Sequence, residues 1–155
     1  MRVSYICADP GVPVFGSKGA SVHVQEGVRA LRRAGHEVVV HAARRGSLVP
    51  ADLADLEVVE APVRASDPAR REREQAGVSR RIAHDVLAGG TDLVYERYSL
   101  FSTALAAVTR SSPARGVLEV NAPLVDEQRE HRVLVNERAA LRALRAQAGC
   151  AHLTV

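Results

Sequence analysis

Short apolar runs alternate with helix-period segments along the whole chain. Residues 2–7 (RVSYIC) are apolar without strict alternation, the pattern of a strand covered on both faces. They lead into a loop carrying Gly and Pro over Asp9–Lys18. From about Ala20 the spacing changes: Ala20, Val24, Gly27, Val28, Leu31 and Ala34 recur three and four apart, which marks one face of a helix. Arg29, Arg32 and Arg33 fall on the other face and suit the negative end of the helix dipole. Gly35 is placed to end this helix, where positive φ is often needed.

The alternation continues. Residues 37–42 (EVVVHA) and 56–61 (LEVVEA) read as the second and third strands, with a loop holding Gly46 and Pro50 between them. Asp67-Pro68 gives an N-cap and a first-turn proline to a helix running to about Ala88, where Gly89-Gly90 stops it. A fourth strand is expected over 92–96, an Ala-rich helix over 99–110 and a fifth strand over 116–120. One long helix over about 124–148 follows, with Leu134, Leu141, Leu144 and Ala148 on one face, and a sixth strand covers 150–155. Strands joined by crossover helices specify an α/β fold: a doubly wound, Rossmann-like parallel sheet with helices on both faces. The 155 residues suit one domain.

Composition narrows the class. A hydrophobic fraction of 46% and a charged fraction of 25% exclude a disordered or collagen-like chain, and only 3% aromatics leave the core to Ala, Val and Leu. No apolar run approaches the ~20 residues of a membrane span. Asp9-Pro10-Gly11 arrives too early for a secretory signal, so a cytoplasmic setting is expected. The net charge is +3, and of 21 basic side chains only Lys18 is a lysine. The run Arg70-Arg71-Glu72-Arg73-Glu74 reads as a solvated helix face. With no aromatic platform beside it, it does not suggest a nucleic-acid partner. Cys7 and Cys150 stand far apart without a CxxC, and no His, Asp and Glu cluster has metal-ligand spacing, so no metal is expected.

In doubly wound sheets the ligand crevice lies at the carboxyl ends of the strands. The segment Gly16-Ser17-Lys18-Gly19-Ala20-Ser21 opens directly into a helix, which aims free N–H groups and the positive dipole end at that crevice and suits a phosphate. It is not a P-loop: the lysine is one place late for GxxxxGK[ST], and Gly19 stands where the Mg²⁺-binding hydroxyl belongs. Nor is it a dinucleotide fingerprint. The spacing is GxxG, it lies well beyond the strand, and the second strand ends in His41-Ala42-Ala43-Arg44-Arg45 without an acid. Arg44 and Arg45 keep an NADP-type reading open.

The segment GSKGASVHVQEGVRALRRAGHEVVVHA resembles the opening of the N-terminal domain of GT-B-fold glycosyltransferases, specifically the family 4-like retaining enzymes. The residues carrying the likeness are Gly19-Ala20, His23 and Gly35-His36-Glu37-Val38. Asp92-Leu93-Val94-Tyr95-Glu96-Arg97-Tyr98 is similar to the strand that ends at the cleft in many members, and Val117-Leu118-Glu119-Val120-Asn121-Ala122-Pro123-Leu124, followed by the Glu- and Arg-rich stretch 127–132, is a third match. The resemblance spans the chain but under half of a full-length member. It implies the acceptor-side half of a GT-B architecture, moving a hexosyl group from a nucleotide-sugar co-substrate to a sugar or lipid-linked acceptor, with no further cofactor. It also implies a loop (Gly16, Gly19, Ala20, Ser21) near the donor diphosphate and a cleft lined by His23, Arg97, Tyr98, Glu119 and Asn121. Asn121 stands where many members have a histidine, so no catalytic role is assigned.

The family's donor domain carries two glutamates with seven residues between them. Glu119 and Glu127 show that spacing, but among eleven Glu it arises by chance and falls in the wrong half of the pattern. The expectation is therefore a truncated or split enzyme, inactive alone, completed by a donor domain or a separate donor-domain chain. An apolar surface is expected beside the last strand. A membrane surface as partner has only the Arg-rich faces behind it. The alternatives are a non-catalytic binding module of the same fold and a phosphate- or NADP-binding α/β protein.

Overall fold

A computed structural model describes residues 1–155. Six strands form one sheet: β1 (Arg2–Cys7), β2 (Glu37–Ala42), β3 (Val58–Glu60), β4 (Leu93–Arg97), β5 (Arg115–Glu119) and β6 (Leu153–Thr154). Their order is β3-β2-β1-β4-β5-β6 with every pair parallel, the doubly wound arrangement the alternating pattern specified. The order reverses between β1 and β4, which opens a crevice beyond the carboxyl ends of those two strands.

Strand alternation sorts the apolar side chains onto two faces. Val3, Tyr5 and Cys7 join Val38, Val40 and Ala42 beneath α1 (Gly19–Arg33) and a single 3₁₀ turn at Ala51–Leu53. On the other face Ile6, Val94 and Leu118 pack against Val78, Ile82 and Val86 of α2 (Pro68–Gly89) and Leu105 and Val108 of α3 (Ala104–Ser111). Each fully buried Val, Leu or Ile contributes about 1.5–3 kcal/mol, so these two clusters dominate stability. At the β6 edge Leu153 and Val155 stand exposed.

The expected helix ends hold. Gly35 has φ 82°, with its N–H on the Arg32 carbonyl and that of His36 on Leu31, a Schellman closure. Asp67 Oδ1 accepts from the Arg70 N–H at 2.8 Å, capping α2.

Four boundaries differ from the sequence pattern. The long helix over 124–148 is two, α4 (Leu124–His131) and α5 (Glu137–Cys150): Asn136 caps α5 by accepting from the Ala139 N–H at 3.0 Å, and Val135 and Asn136 donate their N–H groups to Glu72. The helix expected from Ser99 starts at Ala104, because Phe101 lies in the left-handed region with φ 65°. The third strand begins at Val58, since Leu56 closes the 3₁₀ turn, and the sixth is reduced to Leu153–Thr154 by the extension of α5 to Cys150. Nor is the 70–74 run wholly a solvated face, for Glu72 is buried by its bonds to Val135 and Asn136.

Candidate functional site

Residues 9–18 fold back over the sheet before releasing the chain into α1. Val12, Val14 and Phe15 are buried. The Val14 and Phe15 N–H groups reach the Arg44 and Arg45 carbonyls at 3.0 and 2.8 Å, and Gln25 Nε2 donates to the carbonyls of Val14 and Gly16. Arg45 stacks over the Phe15 ring at 4.9 Å. These bonds hold Gly16 where a Cβ would sit 2.6 Å from Ser21 Oγ and 2.8 Å from Pro13 Cγ, so only glycine fits.

Beyond Gly16 the loop turns outward. Ser17, Lys18 and Gly19 are exposed and nothing lies within 4 Å of a Cβ placed on Gly19. Lys18 is the N-cap of α1, its side chain caps nothing, and the first turn holds no acidic residue. The first N–H with an intrahelical acceptor is that of Val22, on the Lys18 carbonyl at 3.0 Å. The N–H groups of Gly19, Ala20 and Ser21 precede it, beside a lysine and at the positive end of a 15-residue helix. Ser21 itself is buried, with Oγ unpartnered.

Next to this end of α1 lies a polar cluster on the same face of the sheet. Glu119, at the end of β5, is buried and accepts from the Tyr95 hydroxyl at 2.6 Å. His23 Nε2 comes within 2.8 Å of Glu119 Oε1 and Arg97 Nε within 3.8 Å. Neither approach is aligned as a hydrogen bond, so both Glu119 Oε1 and Arg97 Nε are buried without a partner. Tyr5 stacks on Tyr95 with ring centroids 5.1 Å apart. Burial and then the Glu119 charge push the Tyr5 hydroxyl's pKa far up. Burial and the bond to Glu119 do the same for Tyr95. Both phenols stay neutral donors at neutral pH.

The structure thus brings Gly16, Gly19, Ala20, Ser21, His23, Arg97 and Glu119 to one side of the sheet's carboxyl edge. Tyr98 is not among the cleft residues. It is 3% exposed in the core cluster formed with α2 and α3, because adjacent positions at a strand end point to opposite faces. Burial pushes its hydroxyl up to about 12. Asn121 is exposed just beyond β5 and makes no side-chain hydrogen bond. No group of three or more His, Cys, Asp or Glu is placed to hold a metal ion.

Two features were not singled out from the sequence. Glu96 is fully buried and accepts from the Ser102 hydroxyl and, at 2.7 Å, from the Leu105 N–H, capping α3 from inside the core. A cavity of about 730 Å³ opens at the same carboxyl edge, between the Asp9–Gly11 turn, the start of α2, Leu100 and α4. None of the residues expected at the cleft lines it, and only its position beyond β1 could have signalled it. No helix is long and apolar enough to cross a membrane. No protein-family model matches the chain, and no curated protein is significantly similar to it.

Proposed function

We propose that this chain is the acceptor-side domain of a sugar transferase. In this reading the amino end of α1 holds the diphosphate of a nucleotide-sugar, while Glu119, Arg97 and His23 face the sugar being moved. The observation that carries it is the uncapped, glycine-opened start of α1 set beside one buried carboxylate oxygen, Glu119 Oε1, and one buried guanidinium nitrogen, Arg97 Nε, that each lack a hydrogen-bond partner. Unpaired N–H groups at a helix amino end bind phosphate. A buried, unsatisfied acceptor and donor are costly unless something polar completes them, and sugar hydroxyls offer both partners.

The surface is one wall only. His23 is 52% exposed, and group transfer needs both reactants held in reacting geometry away from water. The donor-binding wall therefore comes from a further domain or a second polypeptide, and the chain by itself transfers sugar negligibly.

Titration of ¹⁵N-labelled protein with UDP and GDP tests the reading. Amide shifts at Gly19, Ala20 and Ser21, lost in Gly19→Asp, are the expected result. The substituted carboxylate favours the helix end while repelling the ligand. No shift at those amides up to about 10 mM of either nucleotide, far weaker than any working affinity, overturns it.

The NADP reading is less favoured. The Arg45 guanidinium is stacked on the Phe15 ring, and the buried Val12, Val14 and Phe15 occupy the turn where a dinucleotide's pyrophosphate would lie.

A further inference from the structure

The cavity of about 730 Å³ lies within the ~300–1,000 Å³ range of small-molecule sites. Its chemistry excludes most ligands. Of 15 lining residues only Leu100, Leu124 and Val133 are hydrophobic, which leaves nothing to receive an acyl chain. No Phe, Tyr or Trp lines it, and its one ring is the exposed imidazole of His131, so it offers no broad stacking platform for a nucleobase.

Its charges are divided unequally between free and engaged. Asp9 accepts from the Gly11 N–H at 2.7 Å, and Glu72 accepts from the Val135 and Asn136 N–H groups at 2.7 and 2.9 Å. Around the rim Asp67 caps α2 and Glu74 takes the Arg64 and Ala65 N–H groups. Glu127 is exposed and unbonded. The arginines are free by comparison. Arg132 makes no ion pair, and the only bond of the Arg71 side chain is a long 3.5 Å one to the Ala65 carbonyl. Arg64, Arg70 and Arg73 edge the adjoining surface hollow without an ion pair. A cavity walled by amides and carboxylates, with two free guanidiniums and a basic approach, fits a hydroxylated molecule carrying one anionic group.

The walls are held in advance. Glu72 ties the α4–α5 connection to α2, and Val125 anchors α4 on Phe101 and Ala140 in a small separate core. Phe101 reaches that core at the cost of a left-handed φ of 65°, a strain of about 1–3 kcal/mol, and its neighbour Leu100 forms the cavity wall. Backbone strain of this size persists where surrounding structure enforces it, and it concentrates at ligand sites.

We propose that this cavity binds a sugar phosphate, with Arg71 and Arg132 taking the phosphate and Gln75, Gln128 and Glu127 the hydroxyls. The inference rests on the transferase reading for its use, since the bound sugar phosphate would be the acceptor.

The test is calorimetric titration of the 155-residue chain with glucose 6-phosphate, glucose 1-phosphate and glycerol 3-phosphate. Glucose, inorganic phosphate and phosphatidylglycerol vesicles serve as separate arms. At least one hexose phosphate is expected to bind tenfold or more tightly than glucose or phosphate alone. Arg71→Gln and Arg132→Gln should each weaken it tenfold or more, Arg71→Lys should restore part of the loss, and Arg110→Gln on the far helix α3 should leave it unchanged. Neither arginine makes an ion pair, and matching urea midpoints confirm that the variants fold. No binding by any phosphate ester overturns the proposal, as does binding indifferent to both substitutions. Binding to vesicles alone also overturns it, assigning the arginines to a lipid surface. If UDP shifts the Gly19–Ser21 amides while no sugar phosphate binds, this inference alone fails. If the sugar phosphate binds while no nucleotide reaches α1, the transferase reading fails and the cavity assignment stands.

Discussion

His23 Nε2 lies 2.8 Å from Glu119 Oε1, joining the start of α1 to the end of β5 across the sheet's carboxyl edge. The two partners differ in surroundings: the His23 side chain is 52% exposed and that of Glu119 only 7%. A half-solvated contact of this kind contributes about 0–1 kcal/mol even when both partners are charged. The inner side of Glu119 matters more, because it takes the Tyr95 hydroxyl and neutralises the nearly buried Arg97. His23→Ala should therefore cost under about 1 kcal/mol, whereas Glu119→Ala, which strands a guanidinium and a phenol, should cost about 3 kcal/mol. Urea unfolding of both variants checks this, and equal costs would refute it.

The two loop glycines should behave in opposite ways. A methyl group on Gly16 collides with Ser21 Oγ and Pro13 Cγ, so Gly16→Ala should lose about 1–3 kcal/mol by overpacking. On Gly19 it meets nothing, and alanine is the better helix former, so Gly19→Ala should gain about 0.4–1 kcal/mol. The same methyl group stands where a diphosphate would approach the N–H groups. A raised Tm with lowered UDP affinity is the expected signature, and unchanged affinity would remove Gly19 from the site.

The reach of the sequence follows from what each feature depends on. β1, β2 and α1 depend on local periodicity, and their ends match it to within a residue. Gly35 and Asp67 carry their capping roles in their own chemistry. The break between α4 and α5 depends on Glu72, 63 residues before Val135. Leu134, inside the break, keeps a helical spacing with Leu141 and Leu144 of α5, so local pattern hides the break. Tyr98 was separable in principle: Arg97 and Tyr98 are neighbours at a strand end, and period 2 sends only one of them to the α1 side. The cavity is different again. It exists because α4 settles on Phe101 beside the start of α2, a relation carried by no single segment.

Glu96 provides a pH-dependent test of the core. Burial raises its pKa above 4.5, against the opposing pull of the Ser102 and Gln147 side chains and the Leu105 N–H. Above pH 4.5 the unfolded carboxyl loses its proton while the folded one keeps it. The folded state then holds more protons, so this group's contribution is full below 4.5 and falls as pH rises toward the folded value. Glu96→Gln is neutral at every pH. Its carbonyl can accept from Leu105 and its amide can donate to Ser102, which can in turn bond Ser79. Relative to the parent, the variant should gain stability between pH 4 and pH 8 in urea titrations. A flat difference would show that the carboxyl carries no raised pKa.

His41 works in the opposite direction. It sits in β2 on the α2 side of the sheet, 5% exposed with Nδ1 unpartnered, at a small hollow of about 90 Å³ that Arg2, Glu57 and Asp85 also line. Burial lowers its pKa below 6.5, and the opposing pull of Asp85 and Glu57 is smaller. Above pH 6.5 the imidazole is neutral folded or unfolded and costs nothing. As pH falls past 6.5 the unfolded chain takes the proton first, so stability drops until the folded value is passed and then levels off. His41→Leu fills the same space without a titrating group. It should remove this acid-side loss, leaving a smaller decline between pH 7 and pH 5 than in the parent. An identical decline in both proteins would place the acid sensitivity elsewhere, in the carboxylates that hold the loops through backbone N–H groups.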